Sequence, residues 1–140
     1  MKFFAPLIIF SLSINTCLAG QNLIFDHDGG VDDFVALSLT SCDSKYDIKA
    51  ITISPADSYK KTAVEVTEKF ANAAELKNVE ISASDFEGSN VFPDIWRKHS
   101  DYMTALPIFA NNSTSTSNKA LPIDSHKHLV NLLSNKEKFA

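Results

Sequence analysis

Four carboxylates stand within eight residues at Asp26-His27-Asp28-Gly29-Gly30-Val31-Asp32-Asp33, directly behind the apolar run Asn22-Leu23-Ile24-Phe25. Charges of one sign gathered so closely repel, and folding them together without a cation raises one or more carboxyl pKa values or costs stability. The apolar run suits a central strand covered on both faces, as in a parallel sheet. Open α/β sheets bind ligands beyond the carboxyl ends of such strands, where this cluster falls. Gly29-Gly30 lets the backbone turn sharply, so that Asp28 and Asp33 can face one point. A hard divalent ion relieves the repulsion, and Ca²⁺ prefers several carboxylate and carbonyl oxygens in a flexible shell.

The pattern beyond the cluster is that of an α/β domain. Asp32 to Ser41 reads as a helix with Phe34, Val35, Leu37 and Leu39 among its apolar positions, and Asp32 and Asp33 favour the positive end of its dipole. Asp47 to Ile53 alternates and is β-branched, which reads as a second strand. Pro55-Ala56-Asp57-Ser58 makes a turn, with Asp57 or Ser58 expected to cap a helix from about Lys60 to Leu76. Val79 to Ala83 is a third short strand. The order β-α-β-α-β implies a Rossmann-like, mainly parallel sheet with flanking helices. From Phe86 to Ala120 the periodicity dissolves around Pro93, Pro107 and a Ser/Thr/Asn tract at 111–118 that reads as loop. Asp124 to Phe139 returns to helix, and the next strand of a parallel sheet is not reached, so the architecture is expected to be incomplete at the C-terminus.

Composition narrows the functional classes. The 140 residues are 44% hydrophobic with a net charge of -4, which describes one globular domain. No Lys/Arg cluster is present to neutralise phosphates, which argues against nucleic acid as a partner. Lys2, the apolar stretch from Phe3 to Leu12 and the small residues at Cys17-Leu18-Ala19 read as a signal peptide over residues 1–19, cleaved after Ala19. The stretch is shorter than the ~20 residues of a membrane span, so no stable span is expected. Cys17 within Ile14-Asn15-Thr16-Cys17 is a poor lipidation site because of Asn15; once it leaves with the signal, Cys42 is the one remaining thiol. Residues 20–140 then form the exported domain. An open sheet edge and an uncovered apolar face favour self-association, so a homo-oligomer is among the expected states.

Capping accounts for one or two of the four acids, not all of them. An EF-hand fits poorly, since Gly30 would occupy a ligand position and Leu37 the place of the bidentate Glu. A haloacid dehalogenase-type phosphatase also begins with a strand and D-x-D, but it leaves Asp32-Asp33 unexplained and usually has Thr or Val where this chain has Gly30. Strand alternation turns His27 away from its acidic neighbours and towards packing. His126 and His128, two apart on a helix, do not share a face. Trp96 beside Arg97 reads first as a packing anchor, and second as a stacking surface for a nucleoside.

The string of apolar strand, D-x-D-x-x-x-D-D and apolar helix resembles the N-terminal signature of the inosine/uridine-preferring nucleoside hydrolases. Ile51 to Asp57 is similar to that family's second strand and following loop, and Phe92-Pro93-Asp94-Ile95-Trp96-Arg97 with Leu106-Pro107-Ile108 to a segment of some exported or plant-like members. The resemblance implies Ca²⁺-dependent hydrolysis of the N-glycosidic bond of a ribonucleoside. It implies Asp28 as Ca²⁺ ligand and general base, Asp33 as Ca²⁺ ligand, Asp32 as binder of ribose hydroxyls and Asp26 as a supporting hydrogen-bonding residue. Asp57 stands where the family usually has a ribose-binding Asn, and is expected to accept ribose hydroxyls while adding charge. Family members are about twice this length and draw further ligands and a leaving-group acid from later segments. A catalytically inactive, metal-binding remnant of the same family is therefore the alternative reading.

Overall fold

The computed structural model describes residues 20–86, 89–109 and 118–135. The expected signal peptide and positions 111–117 of the Ser/Thr/Asn tract lie outside the described residues. The chain forms an α/β unit whose parallel sheet has the order β1-β2-β3 and is flanked by helices. Strands β1 (Gln21–His27), β2 (Tyr46–Ile53) and β3 (Glu80–Ala83) alternate with helices α1 (Val31–Cys42) and α2 (Lys60–Ala73). A short helix α3 (Asp94–His99), 3₁₀ turns at Ser100–Ala105 and Pro107–Phe109, and helix α4 (Ser125–Ser134) follow. Among the described residues no helix is long and apolar enough to cross a membrane.

The core sits where β2 meets α2, because β2 is the middle strand and alternates apolar side chains to both covered faces. Ile51, Ile53, Ala63, Val66 and Ile81 are fully or almost fully buried there. Helix α1 adds Phe34 and Leu37, three residues apart and on one face. Val35 and Leu39, expected among its apolar positions, are 57% and 70% exposed, since together with Val31 they form a stripe at i, i+4, i+8 on another face.

Two expectations about capping and packing are corrected. The residue preceding α2 is Tyr59, which makes no side-chain cap, and neither Asp57 nor Ser58 caps the helix. Ser58 Oγ turns instead to the carbonyl of Tyr59 at 3.3 Å. Trp96 is not a packing anchor: it is 53% exposed, and its neighbour Arg97 turns inward. Arg97 stacks its guanidinium 4.3 Å over the Tyr59 ring and donates to the carbonyl of Ser58 at 3.3 Å, which fixes α3 against the start of α2.

Helix α4 starts where Asp124 accepts hydrogen bonds from the backbone of His126 and Lys127. It is pinned to β3 by buried His128, whose two ring nitrogens meet Ser82 Oγ at 2.7 Å and Glu80 Oε2 at 2.8 Å. His126 faces elsewhere, 3.1 Å from Ser84 Oγ. The segment before α4 runs beside β3 through a parallel bridge between Ile81 and Ala120.

Candidate metal and substrate site

The parallel register brings the ends of β1 and β2 level, pairing Asp26 with Thr52 and His27 with Ile53. The loops beyond them stay together. Ser54 N donates to the carbonyl of His27 at 2.9 Å, and Ala56 N to that of Asp28 at 3.2 Å. That pairing carries Asp57 to the acidic loop although 29 residues separate it from Asp28 in the sequence.

The loop closes on one oxygen. Asp33 Oδ2 accepts from the backbone N–H groups of Asp28, Gly29 and Gly30, each at 3.1 Å. A single carboxylate thus satisfies three donors at the N-terminus of α1, where the helix dipole also favours negative charge. Asp28 Oδ1 accepts from Gly30 N at 3.2 Å. Gly30 is the meeting point of three further carboxylates. A methyl group built on it would lie 2.6 Å from Asp32 Oδ1, 3.0 Å from Asp57 Oδ2 and 3.5 Å from Asp28 Oδ1.

This crowding has an electrostatic signature. The Asp28 carboxyl is pushed up to about 6, first by burial, then by its hydrogen bond to Asp33 and the charges of Asp33 and Asp57, against the opposing N–H of Gly30. Asp28 is therefore costly to ionise beside the Asp33 carboxylate. His27 is held below the usual imidazole range by burial, with Asp33 and Asp26 pulling the other way.

Asp26 stands apart from the ring. Its carboxylate is exposed and accepts from Thr52 Oγ1 at 2.6 Å. Thr52 is buried, so Thr52→Val keeps the shape and deletes the one hydroxyl that holds Asp26 to β2. The substitution should cost about 1 kcal/mol, the usual worth of one such bond, read from the urea midpoint at constant slope. An unchanged midpoint would show that Thr52 does not anchor Asp26.

Asp32 and Asp57 also line a cleft of about 620 Å³ with Val31, Val35, Trp96, His99 and Ser100. Such a volume lies within the range of small-molecule sites. Trp96, His99 and Ser100 occupy positions i, i+3 and i+4 and so turn towards one side. His99 and Ser100 were missed as lining residues, and their spacing from Trp96 is the signal that could have found them.

The donor set fits a hard cation in kind, being entirely oxygen. Asp28 and Asp33 would begin its shell. Among the described residues, however, no three His, Cys, Asp or Glu side chains are arranged to hold one metal ion. A shell of six to eight oxygens would need water, substrate hydroxyls or other groups to complete it.

No family model matches the sequence, and no curated protein does. Among solved structures, the fold is similar to an inosine-uridine preferring nucleoside hydrolase from Bacillus anthracis, with a TM-score of 0.72 and 32% sequence identity over 82% of this chain. The chain spans 38% of the length of that structure. The α/β arrangement of parallel sheet and flanking helices is thus that of one part of a nucleoside hydrolase.

Proposed function

We propose that the chain is a member of the nucleoside hydrolase family and that its acidic ring serves Ca²⁺-dependent hydrolysis of the N-glycosidic bond of a ribonucleoside. The observation that carries this reading is the convergence of Asp28, Asp32 and Asp57 around Gly30, at the mouth of a cleft containing Trp96. The 32% identity to a nucleoside hydrolase supports it.

Asp28 is the general base that takes the proton of the attacking water. Asp32 and Asp57 accept hydrogen bonds from ribose hydroxyls and orient the sugar. Their negative charge also favours the oxocarbenium-like character that develops as the bond to the base breaks. The exposed indole of Trp96 offers a stacking face to the leaving base. Asp33 holds the loop, and Asp26 supports it from β1. When bound, Ca²⁺ supplies a common anchor for water and ribose hydroxyls and polarises that water. Export, with cleavage near Ala19, and self-association belong to the same proposal.

The second reading is a catalytically inactive metal-binding unit of the same family. It is favoured by the absence of a three-residue ligand group among the described residues. Incubating the purified chain with inosine and with uridine, in Ca²⁺ and in chelator, separates the two. Base release that requires Ca²⁺ is the expected result. A folded chain that binds Ca²⁺ and releases no base establishes the second reading, and one that does not bind Ca²⁺ overturns both.

A further inference from the structure

Every proton in the buried contact between β1 and α2 has one consistent placement. Thr67 Oγ1 donates to the carbonyl of Ala63 at 2.7 Å, which uses its single hydrogen. Towards His27 Nε2, 3.2 Å away, the hydroxyl can then only accept, so Nε2 carries the ring proton. Nδ1 is left with a lone pair, and it receives the N–H of Gly29 at 3.1 Å. That N–H is the middle one of the three that converge on Asp33. Thr67 is fully buried and His27 nearly so, so water does not compete for these groups.

Resting on the cation-site reading above, we propose that His27 is a positioning residue: its Nε2–H form, selected by Thr67, aims the Gly29 peptide so that the loop holds Asp33 and Asp28 in the geometry a cation requires. The opposite tautomer would set a ring N–H against the Gly29 N–H and turn that peptide away from Asp33. Helix α2, which supplies no acid to the ring, thereby governs the acidic loop through one imidazole. Outer partners of this kind commonly change metal affinity while leaving the ligands themselves intact.

The test uses the two amides that mimic the two halves of the ring. In Asn the side-chain oxygen falls near Nδ1 and can still accept from Gly29; in Gln the amide falls near Nε2 and reaches Thr67 instead. His27→Asn should keep Ca²⁺ affinity within roughly threefold of wild type by titration calorimetry, whereas His27→Gln should lose roughly tenfold or more. A role in packing alone would rank them the other way, because Gln fills more of the imidazole volume. Long-range ¹H–¹⁵N spectra of the full chain should show His27 protonated at Nε2, and finding the proton on Nδ1 overturns the proposal. Thr67→Val gives the same decision if a His27 variant fails to fold: lowered affinity is expected, and unchanged affinity overturns it. If wild type binds no Ca²⁺, the cation-site reading fails, and hydrogen exchange at Gly29 then decides the role of His27. Protection kept by Asn and lost by Gln upholds it; equal protection, or the reverse order, overturns it.

Discussion

Asp28→Asn should lower Ca²⁺-dependent base release by at least ~100-fold, the usual scale for loss of a positioned general base, and should at the same time stabilise the cation-free protein at pH 7. The first effect follows from the proposed role. Asn keeps the shape of Asp28 but accepts no proton from water. The second follows from the raised pKa. In the folded chain the Asp28 carboxyl titrates at about 6, against 3.8 as the ordinary value. A group whose folded pKa is raised contributes its stability below the unfolded pKa and loses it as pH rises through the folded one. Without a cation, wild type should therefore weaken between about pH 4 and pH 6 as Asp28 gives up its proton beside Asp33. A neutral Asn does not titrate, so its stability should stay flatter across that window.

At pH 7 the gain should be on the order of 1 kcal/mol, since solvent around the half-buried carboxyl screens much of the repulsion. Adding Ca²⁺ should reverse the ranking, because binding to the folded state alone stabilises wild type more than a variant lacking one ligand. Thermal melts of both proteins at pH 5 and pH 7, with and without Ca²⁺, read all four values. If Asp28→Asn is less stable than wild type at pH 7 in chelator, the negative charge of Asp28 is held by the fold rather than resisted by it. The role of Asp28 as a strained ligand then fails.

The parts of this molecule that were legible in the sequence are those governed by short-range pattern. Leu23-Ile24-Phe25 and Asp47 to Ile53 carry the strand signal within a few residues, and α2 spaces Ala63 and Val66 on one buried face. The apolar residues of α1 fall on two faces, and their spacing does not tell which is buried. Helix α3 was not legible, because six residues between Pro93 and a 3₁₀ turn are too few to display a period. Which of Trp96 and Arg97 turns inward depends on the Tyr59 ring, 38 residues before Arg97, and no local rule reports it. The acids of the site divide in the same way. Asp26, Asp28, Asp32 and Asp33 announce themselves by proximity in the chain. Asp57 enters through the parallel pairing of β1 with β2, a tertiary fact that the sequence reaches only by resemblance. His27 reads correctly as an inward residue from strand alternation, yet its hydrogen bonds depend on Thr67, a position visible only once α2 packs on β1.

Gly29→Ala should be among the most damaging single substitutions to the fold, and Gly30→Ala should fold while failing at the site. Gly29 has φ +93°, a conformation L side chains rarely adopt, and a methyl group there would lie 2.7 Å from the Ser58 Cβ and 2.8 Å from the Ala63 Cβ. Both are short carbons fixed to backbone, so neither can swing aside. Backbone strain of roughly 1–2 kcal/mol and overpacking of roughly 1–3 kcal/mol add to about 2–5 kcal/mol. That is a large part of the roughly 5–15 kcal/mol by which a typical domain is stable. Gly30 differs in every respect that matters. Its φ is -67°, open to any residue, and the first atoms a methyl would meet are the carboxylate oxygens of Asp32 and Asp57. Those are the free ends of side chains, and they can move. The cost to the fold should therefore stay near 1 kcal/mol, within the ordinary range for a point substitution. The carboxylates, however, are pushed off the point they share, so Ca²⁺ affinity and base release should fall together. Melting curves in chelator paired with Ca²⁺ titrations separate the two glycines. If Gly30→Ala binds Ca²⁺ as wild type does, the carboxylates around Gly30 are not the cation and ribose site. If Gly29→Ala melts where wild type does, the turn tolerates a side chain and the tight packing of the loop against α2 does not hold it in place.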